Sequence, residues 1–370
     1  MREKVDVTLI VDAIEPQLGG IGRYAWELSQ RLPKHPDVSS VRYFAHGRAI
    51  DDPAKMLRGE PIYRGKGLVR ARRAWRARRA LRSGIVHGPN YFLPVGVERG
   101  VITVHDLSVF HYPVTHPPER IHQFERLFAR SLEQAAHIIT DTEAVRAELT
   151  ETFGVPATSV TAVALGVSHD FRPRDKHEIE ASLDRFGLQP GRYGLCVSAL
   201  EPRKKIRELL GAWRRLPRRL RDEFPLVLAG GGGWMNEEIH DDLRDAVAEG
   251  WLRHLGFVPE AELPMLYAGA FLFAYPSVYE GFGLPPVEAM ASGVPVIVSD
   301  RSCLVEVCGD AARYINPNDG DGFLTALQES LEDLRWRKQV IRRGLTRAER
   351  FTWDRCVNDT VTVYRHVKLH

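Results

Sequence analysis

Short apolar runs punctuate the chain. "VTLIV", "GVITVHD", "AHIITDT", "GLCVSAL", "FPLVLAGGG", "AFLFAYPS" and "VPVIVSD" each end in a turn, and helical patterns such as "IGRYAWELSQRL" follow them. Near-continuous apolar runs alternating with helical segments predict buried parallel strands in βαβ units. The runs fall into two sets. The polar, proline-bearing stretch "SHDFRPRDKHEIEASLDRFGLQPGRYG" separates them, which places a connection near residues 168–190. The reading is therefore an α/β protein with two doubly wound parallel-sheet domains, residues 1–167 and 190–350. The tail "FTWDRCVNDTVTVYRHVKLH", about residues 352–370, has a helical pattern and is expected to pack back on the first domain. A length of 370 residues suits two cores better than one. No internal repeat at solenoid periods is visible.

Charge is abundant but balanced, with a net of +3, so its local distribution is more informative than its total. Four scattered cysteines (Cys196, Cys303, Cys308, Cys356) contain no CxxC pair and read as reduced thiols of a cytosolic protein. The opening "MREKVDVTLIVDA" carries Asp6 and Asp12 inside its apolar run, and reads as a first strand rather than a signal peptide. No segment approaches the about 20 apolar residues of a membrane span.

Doubly wound sheets bind ligands at the carboxyl ends of their strands, so chemistry is sought in the loops that follow them. After the first strand, "EPQLGGIGRYAWEL" offers Gly19, Gly20 and Gly22 at a helix start, where backbone can approach an anion or simply turn tightly. It is neither GxGxxG nor a P-loop. "VITVHDLSVF" ends a strand in His105-Asp106. The histidine suits contact with a substrate hydroxyl, and Asp106 could orient the ring or cap the next helix. "SALEPRKKIRELL" puts Arg203, Lys204 and Lys205 at a helix start. Cations are unfavourable there unless an anionic ligand offsets them. "EGFGLPPVEAM" sets Glu280 on a loop and Glu288 on the following helix, with Gly281 and Gly283 between them. Pro285 and Pro286 fit the helix's first turn. Carboxylates accept from sugar hydroxyls and free amides bind phosphate, so this one loop suits a nucleotide sugar. A helix-dipole role alone would account for Glu288 but not for Glu280 or the glycines.

"YPSVYEGFGLPPVEAMASGVPVIVSD" resembles the E-x7-E signature of the retaining GT-B glycosyltransferases of family 4. "GGIGRY", "VHDL", "LEPRKKIRELLGAW" and "HLGFVPEAELPMLYAGA" resemble further loops of that family, and the likeness covers nearly the whole chain. It implies a GT-B fold: two Rossmann-like domains facing a cleft. It also implies a metal-independent, retaining hexosyl transfer, with a nucleotide-diphosphate sugar as donor and no cofactor. On that likeness Glu280 contacts the donor sugar and Glu288 the ribose. Arg203 and Lys204 neutralise the leaving diphosphate, and Gly19 and Gly20 contribute to the diphosphate loop. Gly281, Phe282, Gly283 and Leu284 contact sugar and phosphate through backbone. His105 lines the reaction centre, and Phe257 and Val258 hold the base. Some members carry another arginine just before the basic loop, where this chain has Ser198, Ala199 and Leu200. "ITVHDLSVFHYP" together with "EPRKKI" looks most like users of GDP-mannose or a GDP-deoxyhexose.

The expected acceptor is a saccharide or a lipid-linked glycan of surface-polysaccharide assembly. Two other readings stay open: a nucleotide-sugar epimerase or hydrolase of the same fold, and a non-catalytic sugar-nucleotide binder. Asp319-Gly320-Asp321 spells DxD, a metal motif elsewhere, but its place after "INPN" reads as a turn and helix cap, so no metal is expected. Between Glu60 and Glu98 there is no acid but nine Lys or Arg. Arg72, Arg73, Trp75, Arg76, Arg78 and Arg79 form the core of this segment. It reads as a solvated helix or as a patch for an anionic membrane surface, not as a nucleic-acid module. The location expected is cytoplasmic, peripheral at the inner face of the membrane.

Overall fold

The computed structural model describes residues 4–62, 81–232 and 237–369. The basic core with Arg72, Arg73, Trp75, Arg76, Arg78 and Arg79 lies outside the described residues. The chain forms two compact units.

The first unit comprises residues 1–107, 118–166 and 353–370. Its strands are β1 (Val5–Ile10), β2 (Val38–Ala45), β3 (Arg48–Ile50), β4 (Ile85–Gly88), β5 (Gly100–Val104), β6 (Ala135–Thr140) and β7 (Val160–Ala162). They form one sheet in the order β3-β2-β1-β4-β5-β6-β7, parallel except for β3. β4 and β5 are buried along their whole length, as continuous apolar runs covered on both faces should be. Strand order reverses between β1 and β4, which makes the crevice above their carboxyl ends the expected ligand position. The last helix, Trp353–Leu369, packs on β1, β4, β6 and the helix Gly20–Arg31, burying Trp353, Cys356, Val361 and Tyr364.

The second unit comprises residues 108–117 and 167–352. Its six strands are all parallel: β8 (Gly194–Val197), β9 (Leu226–Ala229), β10 (Leu252–Gly256), β11 (Leu272–Tyr275), β12 (Val296–Ser299) and β13 (Ala312–Ile315). Their order is β10-β9-β8-β11-β12-β13, so the switch falls between β8 and β11.

The structure divides the chain differently from the sequence reading in two places. Residues 168–190, expected as a connection, belong to the second unit and contain the helix Lys176–Asp184, whose Asp175–Glu178 capping box was not read. Ser108–Pro117 also joins the second unit, and the Tyr112 ring lies 5.2 Å from that of Tyr279. The passages into and out of this unit pair side by side: Val167 N–H donates to Phe351 O at 3.0 Å.

Candidate active site

In the second unit the loops after β8 and β11 meet at the switch point. Pro202 opens a short 3-10 turn, Pro202–Lys204, after β8. The turn folds Lys204 inward until its side chain is almost fully buried. Lys204 Nζ donates to Glu280 Oε1 at 2.5 Å and to Tyr275 Oη at 3.1 Å, and Tyr275 Oη donates to the same carboxylate oxygen at 2.8 Å. Arg203 Nε donates to Glu201 Oε2 at 2.9 Å, its Nη1 donates to Tyr279 O at 2.8 Å, and that Nη1 lies 3.6 Å from Glu280 Oε2. Burial alone would push the Glu280 carboxyl up. The charges of Lys204 and Arg203 and the Lys204 hydrogen bond outweigh it, so the group is held below its ordinary range and stays ionised.

Sequence reasoning placed three basic residues at this mouth, but only two arrive. Lys205 takes the left-handed conformation (φ +56°) and caps the helix Ile206–Arg214, and its Nζ pairs with Glu208 at 2.7 Å. Glu201 and Tyr275 were not anticipated. Each ends or follows a strand at the switch point, which is the signal that points to them.

The helix Leu284–Ala291 begins at Gly283, whose φ of +89° suits glycine. A Cβ there would also lie 2.7 Å from Leu304 Cδ2. Pro285 and Pro286 have no N–H, so the amides of Gly283 and Leu284 are the donors at this helix start that have no partner within the helix. Glu288 is buried on the same helix beside Tyr267, whose phenol is pushed up by burial and by the Glu288 charge. Phe282 is buried, with its ring edge-on to Phe351 at 5.3 Å, so any ligand contact falls to its backbone. Phe257 is half exposed after β10, and Val258 is buried.

In the first unit His105 stands at the end of β5. Its Nδ1 lies 2.8 Å from Asp141 Oδ2, and its Nε2 lies 2.8 Å from Pro89 O. The orienting acid is therefore Asp141, at the end of the neighbouring β6, and not Asp106, whose N–H donates to Tyr91 Oη. Burial disfavours the charged ring. The charge and hydrogen bond of Asp141, helped by the Pro89 carbonyl, win and raise its pKa. Asp141 is itself pushed up by burial, so the pair shares its proton, and with Nε2 against the Pro89 carbonyl neither ring nitrogen is left for a sugar hydroxyl. Tyr24 and Tyr91 pack edge-on against it, at 5.1 and 5.9 Å.

The helix Gly20–Arg31 starts uncapped by any side chain. At Gly19 and Gly20 an added Cβ would meet open space, whereas at Gly22 it would lie 2.6 Å from Ala13 O. Close approach therefore demands glycine at position 22, between protein segments. A cavity of about 740 Å³ opens at the ends of β1, β2 and β4, with Asp12, His46, Asn90 and Gln123 among apolar walls that include Phe44 and Phe92. Asp12 Oδ1 accepts from His46 N–H at 2.5 Å and holds it at φ +48°.

The DxD triplet is a cap. Asp319 accepts from Gly322 N–H at 3.0 Å at the start of the helix Gly320–Glu332, and Asp321 pairs with Arg215. No metal-ligand cluster occurs among the described residues, and no helix among them is long and apolar enough to cross a membrane.

Two parallel-sheet units with basic and acidic loops at a switch point define a GT-B glycosyltransferase. Residues 18–171 match the family model "Glycosyltransferase Family 4", and residues 185–347 match "Glycosyl transferases group 1". The chain is 37% identical over 377 residues to an Escherichia coli O-antigen chain mannosyltransferase B, covering 96% of this chain and 99% of that one. It is 29% identical over 243 residues to the O-antigen chain mannosyltransferase RfbU of Salmonella typhimurium, covering 64% of this chain and 63% of that one. Its fold matches the sucrose-phosphate synthase of Thermosynechococcus elongatus with a TM-score of 0.75 at 20% identity, over 99% and 100% of the two chains. The chain belongs to glycosyltransferase family 4 and is a glycosyltransferase homologous to the mannosyltransferases of O-antigen synthesis.

Proposed function

We propose that the protein transfers mannose, or a related deoxyhexose, from a GDP-linked donor to a saccharide or lipid-linked acceptor of a surface polysaccharide, retaining anomeric configuration and using neither metal nor cofactor. The observation that carries this reading is the buried pair Lys204 and Glu280, with the partly buried Arg203 beside it, next to the helix start at Gly283 and Leu284. Leaving of a nucleoside diphosphate builds negative charge on phosphate and positive charge on the sugar. Cations fixed before the reaction stabilise the first without reorganising. Glu280 and Tyr275 hold Lys204, and Glu201 and the Tyr279 carbonyl hold Arg203, so both are preorganised. Glu280, kept ionised, is suited to accept from a sugar hydroxyl and to face developing positive charge. Glu288 takes the ribose hydroxyls, and backbone near Phe257 and Val258 takes the base.

His105, with both nitrogens bound to protein groups, is suited to a fixed structural role at the end of β5 rather than to carrying a proton. The acceptor saccharide takes the cavity beside Asp12, His46 and Asn90, whose polar groups suit hydroxyls and whose aromatic rings suit sugar faces. The basic residues 64–82 add a weak attraction to anionic lipid, of about 1 kcal/mol per nearby cation.

Thermal shift against GDP-, UDP- and ADP-sugars tests the donor, since a ligand that binds only the native state raises the melting point by mass action. A shift with GDP-mannose alone, and transfer that persists in excess EDTA, supports the reading. Activity abolished by EDTA and restored by manganese contradicts metal independence. Turnover of the donor with no added acceptor favours an epimerase or hydrolase. Co-sedimentation with anionic but not neutral vesicles, lost at high salt, supports the membrane role.

A further inference from the structure

Ser302 is a non-glycine residue held at φ +56°, a region that L side chains rarely adopt. It follows β12, the neighbour of β11 in the sheet. Its hydroxyl donates to the backbone carbonyl of Glu280 at 2.7 Å, and the same oxygen accepts from the Glu280 N–H at 3.3 Å. Cys303 Sγ donates to that carbonyl as well, at 3.1 Å. Two residues further on, Leu304 packs against the loop, its Cδ2 lying 2.7 Å from where a Cβ on Gly283 would stand. The loop after β12 therefore touches the Glu280–Gly283 loop at both ends. Glycine would relieve the backbone strain at position 302 but would remove the hydroxyl. Strain that persists is over-determined by its surroundings, and such strain gathers at functional sites.

We propose that Ser302 is a positioning residue for Glu280. Lys204 and Tyr275 fix the carboxylate from one side, and Ser302 fixes the backbone from the other. Two glycines follow Glu280, so the loop has little stiffness of its own. The clamp limits how far the carboxylate can drift from the sugar. This part rests on reading Glu280 as the sugar-contacting acid.

The test uses the full chain with Ser302→Gly and Ser302→Ala. Hydrogen–deuterium exchange of the peptide spanning Glu280, without ligand, reads the clamp directly and needs no donor. Both variants should exchange faster there by about tenfold, the scale of one lost hydrogen bond. Ser302→Gly should keep or raise the melting temperature, because strain is released. With GDP-mannose as donor, kcat should fall about tenfold in both variants while affinity for free GDP stays within about twofold of wild type. Unchanged exchange at Glu280 overturns the proposal. So does a parallel loss of melting temperature and kcat in Ser302→Gly, which marks a merely structural residue. Faster exchange in a protein that transfers nothing from any donor upholds the clamp and instead overturns the assignment of Glu280 to the sugar.

Discussion

Lys204 Nζ and Glu280 Oε1 lie 2.5 Å apart, and each residue is only 8% exposed. They come from loops 76 residues apart in sequence, joined because β8 and β11 are neighbours in the sheet. Removing one partner of such a pair leaves an uncompensated buried charge, whereas removing both does not. Lys204→Met leaves the Glu280 carboxylate with Arg203 alone, 3.6 Å away, so it should destabilise the second unit by less than the roughly 3 kcal/mol of a fully unpaired buried charge. The double variant with Glu280→Gln should regain most of that stability and none of the activity. Chemical denaturation of the four proteins of this cycle measures it. Additive losses would mean that the pair is not coupled.

The same pair sets an acid limit. Glu280 is depressed below its ordinary value of 4.5 in the folded state, so its contribution is present above about pH 4.5 and is lost as pH falls through the folded value. The stability gap between wild type and Glu280→Gln should shrink over that window, as read by urea midpoints across pH.

Glu288 and Glu280 should separate nucleotide from sugar. Glu288→Gln should weaken binding of free GDP by roughly tenfold or more, the scale of hydrogen bonds to a charged group. Glu280→Gln should leave free GDP unchanged and lower transfer. Calorimetry with GDP checks it, and equal weakening in both variants would undo the division.

His105 is raised by Asp141 despite its burial, so the contribution of the histidine is fully present below about pH 6.5 and is lost as pH rises through its folded value. Asp141→Asn should be most destabilising, relative to wild type, at the acid end of the range from about pH 6 to pH 9, with the gap narrowing upward. A gap that widens with pH would show that the ring is neutral.

His87 behaves oppositely. It is buried between Tyr364 Oη, 2.6 Å from Nδ1, and Thr103 Oγ1, 2.8 Å from Nε2, and burial pushes its pKa down to about 3. Between that value and 6.5 the unfolded chain binds a proton that the folded one refuses. Stability should therefore rise with pH there by up to about 1.4 kcal/mol per unit from this residue. His87→Asn should flatten that slope, measured by denaturation at several pH values.

Seven strands, β1, β5, β6, β8, β9, β11 and β12, were legible as apolar runs, and Glu280, Glu288 and Lys204 because they follow such runs. Strands such as β2 and β10 escaped because they alternate exposed polar residues with few buried ones. Asp141 was missed although "AHIITDT" shows an acid at a strand's end. That β6 lies beside β5 is a fact of sheet order, which spacing does not carry. Lys205 was misplaced because its direction depends on one left-handed residue, which a lysine does not advertise. Ser302 grips Glu280 from 22 residues away, on the next strand's loop. Gly22, read with Gly19 and Gly20 as one loop, differs from them through its close approach to Ala13 O and Leu18.

In the proposed reading the loops after β8 and β11 hold a GDP-linked hexose for transfer. Incubation of wild type and Glu280→Gln with radiolabelled GDP-mannose and a mannosylated acceptor, in excess EDTA, tests it most directly. Label should reach the acceptor with wild type, with anomeric configuration retained by NMR, and should fall by at least about a hundredfold with Glu280→Gln at unchanged GDP affinity. Label transferred equally by both proteins, or inverted product, would contradict the account.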